Sequence, residues 1–274
     1  MRRYALAIAG AATITLLAGG FYLSRRDAIP APAPLLPSAQ VARVASAPSL
    51  AASESKTHYP IDTRAATPRS GVPFDLQTAL SELFGLRTVQ SMFRLDDFPR
   101  RLVATIDNLG RSHARAQLWP VNPASGVFDV EERDGAVFIG ADNGLRYTPY
   151  VLLLETVDLQ MTVALYKRIY PSLQEAYEEL GYPRGYFNDR LVEVIDQLLA
   201  TPETDAPLQV RLPAINGPVR PARPWVLYEF ADPAMESLSA GQKILLRMGS
   251  INERRIKARL GELRRLLTVP PTKR

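Results

Sequence analysis

Residues Tyr4 to Leu23 run for twenty positions without a charge, between the pairs Arg2-Arg3 and Arg25-Arg26. A helix needs about 20 predominantly apolar residues to cross a hydrocarbon core. The run therefore predicts a single transmembrane helix over 4–23, within an anchor spanning residues 1–26. That reading constrains everything after it: the rest of the chain lies on one side of a lipid bilayer and folds in water. Tyr4 at one end and Phe21-Tyr22 at the other, just before Leu23, suit the two interfaces, where amphipathic aromatic rings sit. Arg2, Arg3 and the terminal amine outweigh Arg25 and Arg26, which Asp27 partly offsets. Positive charge favours the cytoplasmic side, so the expected orientation is amino terminus in and domain out. A cleaved signal peptide is the rival reading. It requires an apolar region of about 7–15 residues and a small-residue cleavage site, which Ala18-Gly19-Gly20 can supply.

Residues 27–73 read as a disordered linker rich in Pro and Ala. They hold eight prolines and few large apolar side chains, too little apolar surface to offset the entropy of ordering. Fully extended at about 3.1 Å per residue, forty-seven residues reach roughly 150 Å.

Charge divides the remainder. The net charge is +5, but residues 74–242 carry 15 basic and 23 acidic side chains, or −8, whereas 243–274 carry 10 and 2, or +8. Such asymmetry bears on association rather than on fold. With no cysteine and only His58 and His113, thiolate metal sites, disulfides and cysteine nucleophiles are excluded.

Residues 74–268 read as one mainly α, predominantly helical globular domain with a small β-hairpin or short strands, followed by a basic tail at 269–274. Asp75 is placed to cap a helix that Gly85 ends, and Asp96 or Asp97 a second with Pro99 in its first turn. FDVEERDGAVFIG reads as a hairpin turning at Asp134-Gly135. Tyr150 to Tyr170 has helical spacing, and Pro171 is expected to stop or kink it, with Ser172 and Glu175 boxing the next helix. Residues 186–199 form a further apolar stripe, and WVLYEF is a candidate strand pairing with Leu208–Leu212. Ser239 with Gln242, and Ser250 with Glu253, are spaced as capping boxes for the last two helices.

No GxGxxG after a strand, P-loop, GxSxG or HExxH is present. No catalytic, cofactor-binding or metal residue is therefore assigned, and no cofactor is expected. Three features remain. Seven of eleven tyrosines fall between 147 and 186, and tyrosine suits both partner contact and a polar-edged core. Tyr147, Tyr150, Tyr166, Tyr170, Tyr177 and Tyr186, with Asn188, Asp189 and Arg190, form the candidate partner-binding surface. Asp189, Glu193 and Asp196 share helical spacing; the plain reading is a solvated, ion-paired face, the sharper one a carboxylate- and Tyr-dependent enzyme with a cleft around 147–196. In the closing helix, Ile256, Leu260, Leu263 and Leu267 form a narrow seam among Arg254, Arg255, Lys257, Arg259, Arg264 and Arg265. Those cations suit the acidic middle segment, a contact between copies, or an anionic surface such as phospholipid or nucleic acid.

Several runs carry a resemblance: Val103–Leu109, Arg146–Tyr150, Tyr166–Pro171, Gln174–Tyr177, Leu180–Asp196 with its Tyr-Phe-Asn-Asp-Arg block at 186–190, and Leu238–Gly249. Together they resemble a bacterial family of uncharacterised proteins, domain of unknown function 3014. The resemblance implies one family domain and a single-pass envelope protein, here in the bacterial inner membrane with a periplasmic carboxy-terminal domain. It brings no activity to carry over. The expected function is binding or scaffolding of another envelope protein or polymer; the alternatives are the enzyme above and a cytoplasmic-facing protein with a nucleic-acid-binding basic helix, nucleic acid being the partner the orientation disfavours.

Overall fold

The computed structural model describes residues 57–63, 74–213 and 227–269. The anchor Tyr4–Leu23, linker residues 27–56 and 64–73, and the tail from 270 lie outside the described residues. The described chain forms a mainly helical domain with a small four-stranded antiparallel sheet. Its helices are α1 (Leu76–Phe84), α2 (Leu86–Met92), α3 (Phe98–Leu109), α4 (Thr148–Thr156), α5 (Leu159–Glu179), α6 (Phe187–Leu199), α7 (Pro233–Glu236), α8 (Ala240–Arg247) and α9 (Ser250–Leu267). No described helix is long and apolar enough to cross a membrane.

Local chemistry sets several boundaries. Asp75 accepts the Thr78 amide at 2.8 Å, and Gly85, at φ 84°, ends α1. Ser239 and Gln242 form a complete capping box on α8. The strands are β1 (Val130–Arg133), β2 (Ala136–Ile139), β3 (Gln209–Arg211) and β4 (Glu229–Phe230), in that spatial order. Asp134 and Gly135, at φ 51° and 74°, join β1 to β2, the positive dihedrals that a two-residue hairpin turn demands. Of WVLYEF, Trp225 and Val226 lie outside the described residues; the described part pairs with Leu208–Leu212 through Phe230 opposite Val210 and Glu229 opposite Arg211. Val210 and Phe230 pack on Leu246 of α8, which fixes the sheet to the helices.

Three expectations are corrected. The helix expected over Tyr150–Tyr170 is two, because Asp158 accepts the amides of Gln160 and Met161 and starts α5 anew. Pro171 neither stops nor boxes anything; α5 runs through it to Glu179. An interior proline costs about 3 kcal/mol, and the flanking residues Tyr170, Leu173, Ala176 and Tyr177 are buried, at about 1.5–3 kcal/mol for each large side chain. Burial wins, and Ser172 and Glu175 lie mid-helix. Ser250 does not cap α9 either: Gly249, at φ 81°, holds that position, and Glu253 is buried, 1% exposed.

Helix α6 is the centre of the domain. Its Phe187 joins Val103, Tyr170, Leu173 and Tyr177; its Val194 and Leu198 meet Val151, Leu245 and Ile256; its Val192 and Ile195 meet Val163 and Leu267. Helices α3, α5, α8 and α9 all pack on it.

Candidate partner-binding site at the start of α6

A helix begins with amides that have no partner within the helix. Tyr186, the residue before α6, makes no side-chain cap. Two of those amides are instead taken by α5: Phe187 N–H donates to Gln174 Oε1 at 2.9 Å, and Asn188 N–H to the Tyr170 hydroxyl at 3.3 Å. Gln174 also donates from Nε2 to the Gly185 carbonyl at 2.8 Å. The Tyr166 hydroxyl donates to Asn188 Oδ1 at 3.0 Å. Burial raises the pKa of Tyr166 and Tyr170 well above the usual phenol value and pushes Tyr177 up to about 12, so all three hydroxyls stay protonated as neutral donors.

The outer side of this helix start holds residues 57–63, which the sequence placed in the linker. Two successive amides, His58 and Tyr59, donate to the two oxygens of Asp189, at 2.9 Å and 2.7 Å. Ile61 N–H donates to the Tyr186 hydroxyl at 2.7 Å, and Asn188 Nδ2 donates to the Tyr59 carbonyl at 2.8 Å. Asn188 also lies 3.4 Å from the Leu267 carbonyl at the end of α9, and is fully buried. Three side chains of the Tyr-Phe-Asn-Asp-Arg block thus read main chain, not side chains. Ordering seven residues costs roughly 7–14 kcal/mol at one to two per residue. Two bonds to a charged carboxylate contribute roughly 3–6 kcal/mol and two neutral ones roughly 1–3. Half-burial of Tyr59 and Ile61 against the α5–α6 core supplies about 1.5–3 kcal/mol more, half the value for full burial. The terms nearly cancel.

Arg190, next in the block, faces inward. Its Nε donates to Asp107 Oδ1 and one terminal nitrogen to the Asp107 carbonyl, both at 3.0 Å, while the other meets Glu193 at 2.9 Å. Asp107 is 3% exposed and also pairs with Arg111 at 2.7 Å. The guanidinium thereby joins the end of α3 to α6. Beside it opens a groove of about 810 Å³, walled by Tyr177, Tyr186, Arg190, Glu193 and Gln197, with Tyr59 of the docked segment at its edge.

The expected tyrosine surface divides. Tyr166, Tyr170, Tyr177 and Tyr186 converge on the α6 start, where Tyr170 and Tyr177 are core residues, 4% and 5% exposed, and Asn188 is fully buried. Their rings pack on one another, Tyr166 with Tyr170 at 5.6 Å and Tyr170 with Tyr186 at 5.5 Å. Tyr147 and Tyr150 stand apart: the Tyr150 hydroxyl donates to the Asn122 carbonyl at 2.7 Å, and the Arg146 guanidinium lies 5.6 Å from the Tyr147 ring. The carboxylates proposed for an enzyme are each engaged: Asp189 by the two amides, Glu193 by Arg190, Asp196 by Arg264.

The closing helix buries its seam, with Ile256 and Leu267 in the core and Leu260 and Leu263 packed beside them. Its cations face acidic partners: Arg254 with Asp205 at 3.3 Å, Arg255 with Glu155, Lys257 with Glu203 at 2.9 Å, and Arg264 with Asp196. Arg259 donates to the carbonyls of Leu154 and Val157, at 2.9 Å and 2.6 Å. Arg265 is exposed. Among the described residues, four cations of the last helix thus pair with carboxylates of the middle segment.

Sequence reasoning missed Asp107, Gln174 and Asn143. Asn143 is fully buried, accepts the Asp129 amide at 3.1 Å and donates to the Arg247 carbonyl at 2.8 Å. Each acts across more than ten positions of chain, where no local pattern announces it.

A mainly helical domain with a small antiparallel sheet and a polar, tyrosine-rich helix junction defines the class of this protein. Residues 98–264 match the family model described as "Protein of unknown function (DUF3014)", and the chain belongs to that family. No curated protein and no solved structure matches the chain.

Proposed function

We propose that this protein is a single-pass envelope protein, anchored in the bacterial inner membrane by Tyr4–Leu23, whose periplasmic domain binds another envelope protein or polymer. The linker holds the domain away from the bilayer, and the binding face is the groove along α6. The observation that carries the reading is the composition of that groove. The half-buried rings of Tyr59 and Tyr186, the Arg190 guanidinium and the Glu193 carboxylate, 57% exposed, line one open concavity, and such aromatic and charged mixtures suit specific, wet interfaces.

A photo-crosslinking residue at Ala200 or Glu193 of the full-length chain in living cells tests this. A discrete crosslinked product from those positions, and none from exposed Glu132 on β1, is expected. Equal labelling from all three, or from none, contradicts it. The enzyme reading predicts that alanine at Asp189 and Glu193 abolishes function while the fold is intact; retained function removes it.

A further inference from the structure

We infer that Tyr186, Asn188 and Asp189 form a main-chain clamp that holds the chain's own residues 57–63 reversibly, and that docking shortens the tether between anchor and domain. The geometry carries the clamp. One carboxylate accepts two successive amides, at 2.9 Å and 2.7 Å, one on each oxygen. This is how a concave pair of backbone N–H groups binds an anion, and charged acceptors make the shorter, stronger bonds. Asp189 lies in the first turn of α6, where the helix field also favours a negative side chain. The Tyr186 hydroxyl and Asn188 amide complete a set that touches the N–H groups of His58, Tyr59 and Ile61 and the carbonyl of Tyr59.

Reversibility follows from the near-cancellation of ordering cost against bonding and burial. The segment has no helix or strand of its own to hold it, so its order rests on contacts with the domain, the clamp and the packing of Tyr59 and Ile61 among them. The length consequence rests on the proposed anchor; the clamp does not. With 57–63 docked, the leash is residues 27–56, about 90 Å when fully extended. Released, it runs to residue 73 and gains seventeen residues, about 50 Å more. A domain that must reach a partner at variable distance from the membrane thereby has two settings. The occupant is the chain's own segment in cis; exchange of the segment between two copies is the competing arrangement.

Hydrogen exchange on the full-length protein in lipid nanodiscs tests the clamp. In the unaltered chain the amides of His58, Tyr59 and Ile61 exchange roughly tenfold or more slowly than in a free peptide. Tyr186→Phe, which keeps the ring, restores fast exchange at Ile61 and leaves the α6 amides of Val192 and Ile195 protected. Asp189→Ala does so at His58 and Tyr59. Should Asp189→Ala also expose Val192 and Ile195, Tyr186→Phe decides. Unprotected amides in the unaltered chain, or protection unchanged in Tyr186→Phe, overturn the clamp. Protection that rises with protein concentration alongside dimer overturns the cis arrangement. Because the chain has no cysteine, single cysteines at the exposed residues Thr57 and Ala200 accept a pair of distance labels: a narrow distribution is expected, broadened by Asp189→Ala. A clamp that passes these tests in a chain absent from the membrane fraction leaves the clamp standing and overturns the tether-length consequence.

Discussion

Replacing Arg190 by alanine tests whether the Asp107 pair joins α3 to α6. The substitution removes the bonds to Asp107 Oδ1 and to the Asp107 carbonyl, both 3.0 Å. It leaves a carboxylate that is 3% exposed with Arg111 at 2.7 Å and the Tyr182 hydroxyl at 3.3 Å. Breaking a buried pair by deleting one member costs about 3–5 kcal/mol, because the other charge stays buried without compensation. Arg111 provides part of that compensation, which places the expected loss at the lower bound, about 3 kcal/mol. With a urea slope of about 2 kcal/mol per molar, the unfolding midpoint falls by about 1.5 M. Equilibrium unfolding followed by circular dichroism measures it. The double variant Arg190→Ala with Asp107→Ala is expected to lose less than the sum of the single losses, by about 1–3 kcal/mol. A midpoint within about 0.3 M of the parent, or strict additivity, refutes the reasoning.

Burial raises the pKa of Glu253 from its ordinary value, against the lowering effect of Lys257, with Glu203 raising it further and Arg254 lowering it. The folded state therefore favours its proton: that stability is present below the unfolded pKa and is lost as pH rises through the folded one. Glu253→Gln should gain urea midpoint relative to the parent as pH rises from about 4.5 towards neutrality; a constant difference contradicts this. Gly241→Ala places a Cβ 2.5 Å from Leu198 Cδ2 and 3.1 Å from the Leu109 carbonyl, wedging α8 from α3 and α6. A loss of about 1–3 kcal/mol in urea unfolding is expected, and a neutral result would show that α8 shifts freely. Pro171→Ala, at an exposed position inside α5, restores a helical N–H and is expected to stabilise by about 1–3 kcal/mol; a loss would mean that the proline shapes α5 rather than being tolerated by it.

How much of this was legible in the sequence follows from range. Features carried by neighbouring residues could be read: Asp75 and Gly85 around α1, Pro99 in the first turn of α3, the Asp134-Gly135 turn, the Ser239–Gln242 box and the apolar seam of α9. The complementarity between the basic last helix and the acidic middle was also visible as charge. Pro171 misled because its local cost is outweighed by tertiary burial of Tyr170 and Leu173. Asp158 was hidden inside an apolar run whose period continues across it. At the candidate site, the tyrosines were found but their direction was not, since spacing does not distinguish a hydroxyl that meets Asn188 from one that meets solvent. The docking of 57–63 rests on contacts across 125 to 131 positions, made by the main chain of a segment whose composition reads as linker.

Protease accessibility of the full-length protein in spheroplasts, combined with an alkaline carbonate wash of the membranes, tests the placement on which the proposed function depends. The account predicts that the protein stays in the washed membrane pellet and that its domain is digested in spheroplasts but spared in intact cells. A domain protected in spheroplasts until they are lysed, or a full-length product released into the soluble fraction, would contradict it.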